Sequence, residues 1–397
     1  MRQAEAILDI GSSKIVCMIG RCGEDGRFEI YGIGIGEHKG LKKKRFLDEP
    51  GLRFAVQTAI EGAQSEARRR IRSVHVGVPG PFVRAECSVC ELVLGEAPRE
   101  ITHRDIDALM ETAVRETETP EGFTHMFSVP YHFRVDGSPR NTIPVGLSGK
   151  TLWAAVSHMY YENSFGTLAT DILDEMGIDV DSFVDSAFAE AAMLVKDRRS
   201  AEESIVVDVG YYHTDVIVLR GTACVFRTSL PVGGAHIASD ISYVLSISPA
   251  VAESVKQRHA FGLDYSDRVD TYRLTDGTVE SIVYDDIQDI IEARAHEIAS
   301  MVREAILKSA VQVMPETPLY LMGGGIAMMR GSREFFQSAS GFYTVTDMPW
   351  MPRKNTPNFA SAYGMLNYVC NSALATAPRA GLKENRLIKA IVNFFTK

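Results

Sequence analysis

Asp9-Ile10-Gly11-Ser12-Ser13-Lys14 sets a carboxylate, a glycine, two hydroxyls and an ammonium at the end of an apolar run, Ala6-Ile7-Leu8. The glycine permits a tight turn whose N–H groups and hydroxyls can surround phosphate oxygens, while Asp9 holds a hydrated Mg²⁺. A lone turn of this kind is common in ordinary hairpins. Here it has a partner: Ile205-Val206-Val207-Asp208-Val209-Gly210 repeats the pattern 199 residues later, about half of the 397-residue chain. Two hairpins led by Asp-x-Gly could face each other across a cleft and clamp a triphosphate, with Asp9 and Asp208 holding the metal through water. A third element, Leu319-Tyr320-Leu321-Met322, runs into Gly323, Gly324 and Gly325. Without Cβ atoms, that backbone can approach a flat ring or a sugar.

Strands must carry these turns. Apolar positions alternate over residues 6–19 around the first turn, and Phe28–Gly34 reads as the next strand of a meander. Residues 52–70 keep apolar or small residues near helical spacing, and Ser73–Val78 is a further strand. The second half repeats the order: strands at 204–209, 215–219 and 223–230, a Gly233-Gly234 turn, then a helix over 235–246. The fold class is therefore α/β and duplicated, with a cleft between the halves. A stretch between the halves looks inserted. Ile101–Ile106 starts a helix with Thr102 as cap and Asp105 as the acid of a capping box, and strand patterns follow at 124–135 and 151–159. A second insertion is dominated by a helical pattern over 285–310. The expected division is residues 1–84 with 162–200, an insert at 85–161, residues 201–230 with 311–371, and a subdomain at 231–310.

Composition excludes several classes. Hydrophobic residues at 45% and charged residues at 23% describe a globular chain, not a disordered or collagenous one. A net charge of −9 argues against a nucleic-acid partner. The basic runs at 39–45 and Arg68-Arg69-Arg70-Ile71-Arg72 lack interleaved aromatics and read as a solvated loop and a helix end. The six cysteines are irregularly spaced, and Cys87-Ser88-Val89-Cys90 has no second pair to complete a zinc site. No signal-peptide pattern opens the sequence and no window is apolar enough to span a bilayer, so a cytosolic body is expected.

Asp-x-Gly, Asp-x-Gly and Gly-Gly-Gly in that order resemble the layout of the actin-like (ribonuclease H-like) nucleotide-binding superfamily. The resemblance narrows to one family, the bacterial division protein FtsA. It is carried by Gly40-Leu41-Lys42-Lys43, by Ile101-Thr102 with Asp105-Ile106, by Ser128-Val129-Pro130 and by Pro144–Gly149, in an insert that ordinary actins lack. Leu230–Ile237 with Asp240, Ile290–Arg294 and Asn358–Gly364 are similar as well. The resemblance implies ATP with Mg²⁺ in the cleft, with Gly233, Gly234 and His236 near ribose and phosphates and Glu253 and Lys256 at the nucleoside. Thr214 stands at the superfamily's spacing in the second hairpin. Tyr211, Tyr212 and His213 replace smaller residues there, which implies weak or absent ATP hydrolysis. Asp185 stands where relatives place a water-orienting acid, and a helix N-cap is the plainer reading of it. The resemblance further implies a homopolymer that tethers FtsZ, through its C-terminal peptide, to the membrane at the division site and recruits later division proteins. The peptide would dock on residues 231–310, with Arg294 and Arg303 as contacts.

Residues 372–382 are small and broken by Pro378 and Gly381, and read as a linker. Beyond it, residues 383–397 carry four basic side chains and one acid. On a helical projection Leu387, Ile388, Ile391, Val392, Phe394 and Phe395 share an arc of roughly 160°, with Arg386 and Lys389 outside it. A basic helix with phenylalanines on its apolar face suits an anionic membrane interface, giving a peripheral protein on the cytoplasmic side. Two other readings stay open: a pilus-assembly actin-like protein that binds a peptide, and a sugar or acetate kinase of the same superfamily.

Overall fold

The computed structural model describes residues 4–23, 27–42, 44–140, 142–195, 203–265 and 268–371. The linker at 372–382 and the amphipathic segment at 383–397 lie outside the described residues.

The chain opens with a meander of β1 (Glu5–Ile10), β2 (Lys14–Cys22) and β3 (Phe28–Glu37). Helix α1 (Glu49–Ala67) then leads into β4 (Ser73–Val78). Asp48 starts α1 by accepting from the Gly51 N–H at 3.0 Å, with Pro50 in the first turn. The helix ends three residues earlier than its spacing predicts. Arg68 takes a left-handed conformation (φ 50°), and the N–H groups of Arg68 and Arg69 turn back to Ser65 and Gln64. β3 lies unusually close to α1, because a Cβ on Gly34 would come 1.8 Å from the Ala59 carbonyl oxygen. Glycine on the strand and alanine on the helix together allow this approach.

The insert follows as β5 (Val83–Val93), α2 (His103–Glu116), β6 (Phe123–Val135), β7 (Ser138–Arg140) and β8 (Thr151–Glu162). Its sheet runs β7-β6-β8-β5 and buries Phe133, Leu152, Ala154 and Val156 against Ile106, Leu109 and Met110 of α2. Then come α3 (Asn163–Asp174), β9 (Asp179–Asp185) and α4 (Ser186–Leu194), which complete a first sheet ordered β9-β4-β1-β2-β3.

The second half contains β10 (Glu203–Val209), β11 (Thr214–Arg220) and β12 (Ala223–Leu230), and later β15 (Leu319–Met322) and β16 (Thr344–Val345). Its sheet order, β12-β11-β10-β15-β16, repeats the first strand for strand. In both, an antiparallel meander is extended by two parallel strands. Between β12 and β15 lie α5 (Gly234–Val244), α6 (Pro249–Arg258), a hairpin of β13 (Val269–Arg273) and β14 (Val279–Val283), and α7 (Tyr284–Lys308). The body closes with α8 (Ser332–Ser340) and α9 (Ala360–Asn371). α4 and α9 cross at the joint of the halves, where a Cβ on Gly364 would lie 2.5 Å from the Glu190 backbone. Side chains of both halves share one core there, including Met18, Phe188, Ile217 and Tyr363.

Asp105 ties the start of α2 together. It accepts from the Thr102 N–H and hydroxyl, both at 2.8 Å, and from the Arg99 fork at 2.9 and 2.6 Å. The Arg99 hydrogen bonds, aided by those from Thr102, hold its carboxyl well below the usual carboxylate range. A carboxyl whose folded pKa is depressed stabilises above its unfolded pKa and loses that contribution as pH falls below it. Asp105→Asn should therefore cost about 1–2 kcal/mol at pH 7. The gap from wild type should narrow below pH of about 4, as urea unfolding followed by tryptophan fluorescence would show.

Candidate functional site

The two Asp-x-Gly turns fold alike. Gly11 N–H donates to the Lys14 carbonyl at 2.9 Å, and Gly210 N–H donates to the His213 carbonyl at 2.9 Å. They meet tip to tip, with the Tyr212 N–H donating to Ser12 Oγ at 3.1 Å. Between them lies a cleft of about 580 Å³, within the size range of small-molecule sites. Its lining brings together Asp9, Gly11, Ser12, Ser13 and Lys14 with Asp208 and Gly210, and adds Glu253, Lys256, Gly323, Gly324 and Gly325.

The floor is rich in carboxylates. Asp9 accepts from the Ser361 hydroxyl at 2.6 Å, and burial raises its pKa. Asp208 Oδ1 is buried with no hydrogen-bond partner. Gly323 sits against it in a left-handed conformation (φ 87°), where a Cβ would stand 2.1 Å from that oxygen. Burial, then the charges of Asp215 and Asp9, push Asp208 up to about 7. Behind it is Glu190, fully buried on α4, which desolvation and the Asp208 charge hold well above the usual range. A protonated Glu190 can share its hydrogen with Asp208, so the pair carries one negative charge instead of two. Lys14 faces this group. Its ammonium donates to the Asn358 carbonyl at 2.6 Å and lies 3.9 Å from the centre of the Phe359 ring, and burial lowers it to about 8.

An orphaned buried oxygen on Asp208, in a cradle that a side chain at 323 would fill, suits a divalent cation. Among the described residues no three His, Cys, Asp or Glu side chains converge as a metal-ligand set. The donors fit Mg²⁺ held by one or two carboxylates, with water and phosphate oxygens completing its shell.

Other expected residues stand in the cleft wall or just behind it. Gly233 and Gly234 join the start of α5 to the second hairpin, with Gly234 N–H donating to Gly210 O at 2.9 Å and Ala235 N–H to Tyr211 O at 2.8 Å. A Cβ on Gly234 would lie 2.6 Å from Gly325 Cα, so the contact is backbone on backbone. His236 Nδ1 accepts from Gly233 N–H at 3.1 Å. Thr214 is fully buried, and its hydroxyl donates to the Val232 carbonyl at 2.8 Å, away from the cleft. Lys256 pairs with Glu253 at 2.7 Å and donates to Gly234 O at 3.3 Å. Tyr212 lies against Gly40 of the first half, where a Cβ would sit 2.2 Å from the ring, so it bridges the halves at the cleft wall.

For Asp185, the catalytic candidate, the structure shows the plainer reading, a helix N-cap. Asp185 is fully buried and caps α4, accepting from Ala187 N–H at 3.2 Å. Its other oxygen faces Arg227 Nε at 3.2 Å in a contact not aligned as a hydrogen bond, while Arg227 Nη2 donates to Oδ1 at 3.3 Å. Arg227 also donates to the Gly80 and Val83 carbonyls at 2.8 and 3.1 Å and reaches Asp215 at 3.5 Å. Burial pushes Asp185 up to about 6 against the opposing pull of Arg227. On α7, Arg294 forks onto Asp240 at 2.6 and 3.2 Å and also pairs with Glu297, and Arg303 donates to the Ser340 carbonyl at 3.3 Å.

Sequence reasoning missed Arg227, Glu190 and His38. His38 Nε2 lies 3.1 Å from the Gly11 carbonyl oxygen, and its Nδ1 accepts from Gly40 N–H at 3.2 Å. A signal existed for Glu190, a single acid in the otherwise apolar run Ala187–Leu194.

Two family models match this chain. One, described as cell division protein FtsA, covers residues 205–364, and the other, the SHS2 domain inserted in FtsA, covers residues 84–160. Together they span more than half of the sequence. The chain belongs to the FtsA family. The cell division protein FtsA of Escherichia coli strain K12 is 24% identical to this family member over 332 residues, 82% of this chain and 78% of its own. Among solved structures, one of the PilM–PilN type IV pilus biogenesis complex superposes with a TM-score of 0.63 at 17% identity, over 93% of this chain and 99% of that one. MreB 5 of Spiroplasma citri bound to AMPPNP gives a TM-score of 0.52 at 12% identity, over 93% and 96%. The fold is thus actin-like with an FtsA-type insert, and this member is an actin-like cell-division protein.

Arg227 is the buried cation that this family member places between its halves. Arg227→Ala leaves Asp185 and Asp215 uncompensated and should cost about 3–5 kcal/mol. Adding Asp185→Ala should recover part of that loss in thermal unfolding, because one stranded carboxyl is then gone.

Proposed function

We propose that this FtsA-family protein binds ATP with Mg²⁺ in the cleft and polymerises on the cytoplasmic face of the membrane at the division site. There it holds FtsZ, by the C-terminal peptide of FtsZ, and recruits later septation proteins. The observation that carries the nucleotide part is the pair of matching Asp-x-Gly turns, tip to tip over a carboxylate floor, with Gly323–Gly325 beside them. Turn N–H groups and Ser12 and Ser13 hydroxyls would surround phosphate oxygens, and Lys14 would offset their charge. Gly324 and Gly325, with Glu253 and Lys256, would receive the nucleoside. Mg²⁺ near Asp9 and Asp208 would supply charge neutralisation of the phosphates. Family membership supports the division role, and the bound AMPPNP of the MreB 5 structure is in keeping with a nucleotide in this cleft.

The membrane part is supported by the sequence of residues 383–397, whose basic and apolar residues separate on a helical projection. A helix of this length is marginal alone in water, so it would fold on lipid, and many weak helices on one polymer would bind by avidity.

Asp9→Ala and Asp208→Ala should each weaken Mg²⁺-dependent ATP binding at least roughly tenfold in equilibrium titration. Affinity equal to wild type in both variants would remove the clamp assignment. Deleting residues 383–397 should release the protein from anionic liposomes in co-sedimentation; unchanged binding would remove the tether. ATP-dependent filaments on lipid monolayers, viewed by electron microscopy, would test assembly.

A further inference from the structure

The basic run Arg68–Arg72 takes no part in the cleft. Its loop is firmly held: Arg68 and Arg69 N–H groups bond back into α1, and Ile71 N–H donates to Gln64 Oε1 at 3.0 Å. Asp179 N–H donates to the Arg72 carbonyl at 2.9 Å. Arg68, Arg69, Arg70 and Arg72 are all exposed. None of the four forms an ion pair among the described residues, whereas their neighbours Arg21, Arg53 and Arg353 are taken by Glu29, Glu175 and Glu66. Even with exposed Asp174 and Asp179 set against it, the corner is cationic on a chain of net charge −9.

The position of this corner matters. Glu5 pairs with Gly20, Cys22 with Phe28, and Ile7 with His75, so the start of β1, the end of β2 and the start of β4 share one end of the first sheet. The arginine loop enters β4 at that end. α9 finishes there too, with Cys22 N–H donating to Cys370 Sγ at 3.2 Å. The chain therefore leaves the described body, toward residues 383–397, at the same end as the four arginines. α1 and α9 lie on opposite faces of the sheet, which separates the two points by roughly 20 Å. A random-coil chain of about eleven residues spans on the order of 18 Å.

We propose that Arg68, Arg69, Arg70 and Arg72 are a second attachment point for an anionic lipid bilayer, at the end of the body from which the chain leaves toward residues 383–397. The inference rests on the membrane reading above and adds an orientation to it. Guanidinium groups pair with phosphate oxygens through two parallel hydrogen bonds, and a cluster of them is drawn to an anionic leaflet. The loop lacks the aromatic platforms with which proteins stack single-stranded nucleic acid. With the tail alone, nothing in the body selects which face it turns to the lipid. With both points engaged, one end of the first sheet faces the lipid.

The test uses the full chain and vesicles of phosphatidylglycerol and phosphatidylcholine in equal parts. A variant combining Arg68→Gln, Arg69→Gln, Arg70→Gln and Arg72→Gln should sediment with them about tenfold more weakly than wild type. All four side chains are exposed, so its thermal unfolding should match wild type. Vesicles of phosphatidylcholine alone should not distinguish the two proteins. If the variant binds anionic vesicles as wild type does, while deletion of 383–397 releases the protein, the second point is wrong and the tether stands. If wild type does not bind the vesicles, both fall. Equal arginine-dependent binding to a single-stranded oligonucleotide, to polyglutamate or to inorganic phosphate would make the loop a general anion site and overturn the bilayer assignment.

Discussion

Two halves that each carry an Asp-x-Gly turn can meet across one cleft only if their acids are brought close, and close acids repel. The joint therefore depends on how few cations answer how many carboxyls. Asp9, Asp208, Glu190, Asp215 and Asp185 all lie within or just behind the cleft floor, and burial raises every one of them. Arg227 is the strongest answer. It is almost fully buried and ion-paired to two of these acids, and its remaining N–H groups go to carbonyls at the opposite edge of the joint, Gly80 and Val83. A guanidinium suits the position because it cannot lose its proton and can serve several acceptors in a plane. Protonation of Glu190, with the Lys14 ammonium facing Asp9 and Asp208, answers the other concentration of charge.

The duplicated sheets explain why the site lies where it does. Each Asp-x-Gly turn joins the first two strands of its sheet, so equivalent topology delivers equivalent turns to the same edge of each half. Glycines then set the spacing between layers. Gly323 admits the Asp208 carboxyl, Gly234 meets Gly325, and Gly364 lets α9 lie on the α4 backbone. Methyl groups at the first two places would crowd the second half around the cleft, and one at Gly364 would force α9 off α4 at the joint.

What the sequence made legible was local. The turns, the Thr102 and Asp105 helix start and most strands depend on residues a few positions apart, so spacing alone identifies them. The end of α1 was misplaced by three residues, because a left-handed cap is usually glycine and here it is Arg68. The β13–β14 hairpin was hidden within a subdomain read mainly from its long helix. The distant partners of Asp185 and Thr214 were obscured for a different reason. A buried hydroxyl or carboxyl takes its partner from a distant part of the chain, as Asp185 does from Arg227, 42 residues on. No periodicity reports such a pairing. Glu190 was visible as an acid in an apolar helix, but its meaning needed Asp208 beside it.

A ligand that touched both turns would favour the arrangement in which they meet, by RT ln(1 + [L]/Kd). The halves touch through the Ser12–Tyr212 contact, the Tyr212 ring against Gly40, and Arg227. The first two lie at the mouth of the cleft and the third at its back, near the α4–α9 crossing. The halves are therefore held by polar contacts at the tips of the two turns and, at the joint, by a shared apolar core and the buried Arg227 ion pairs.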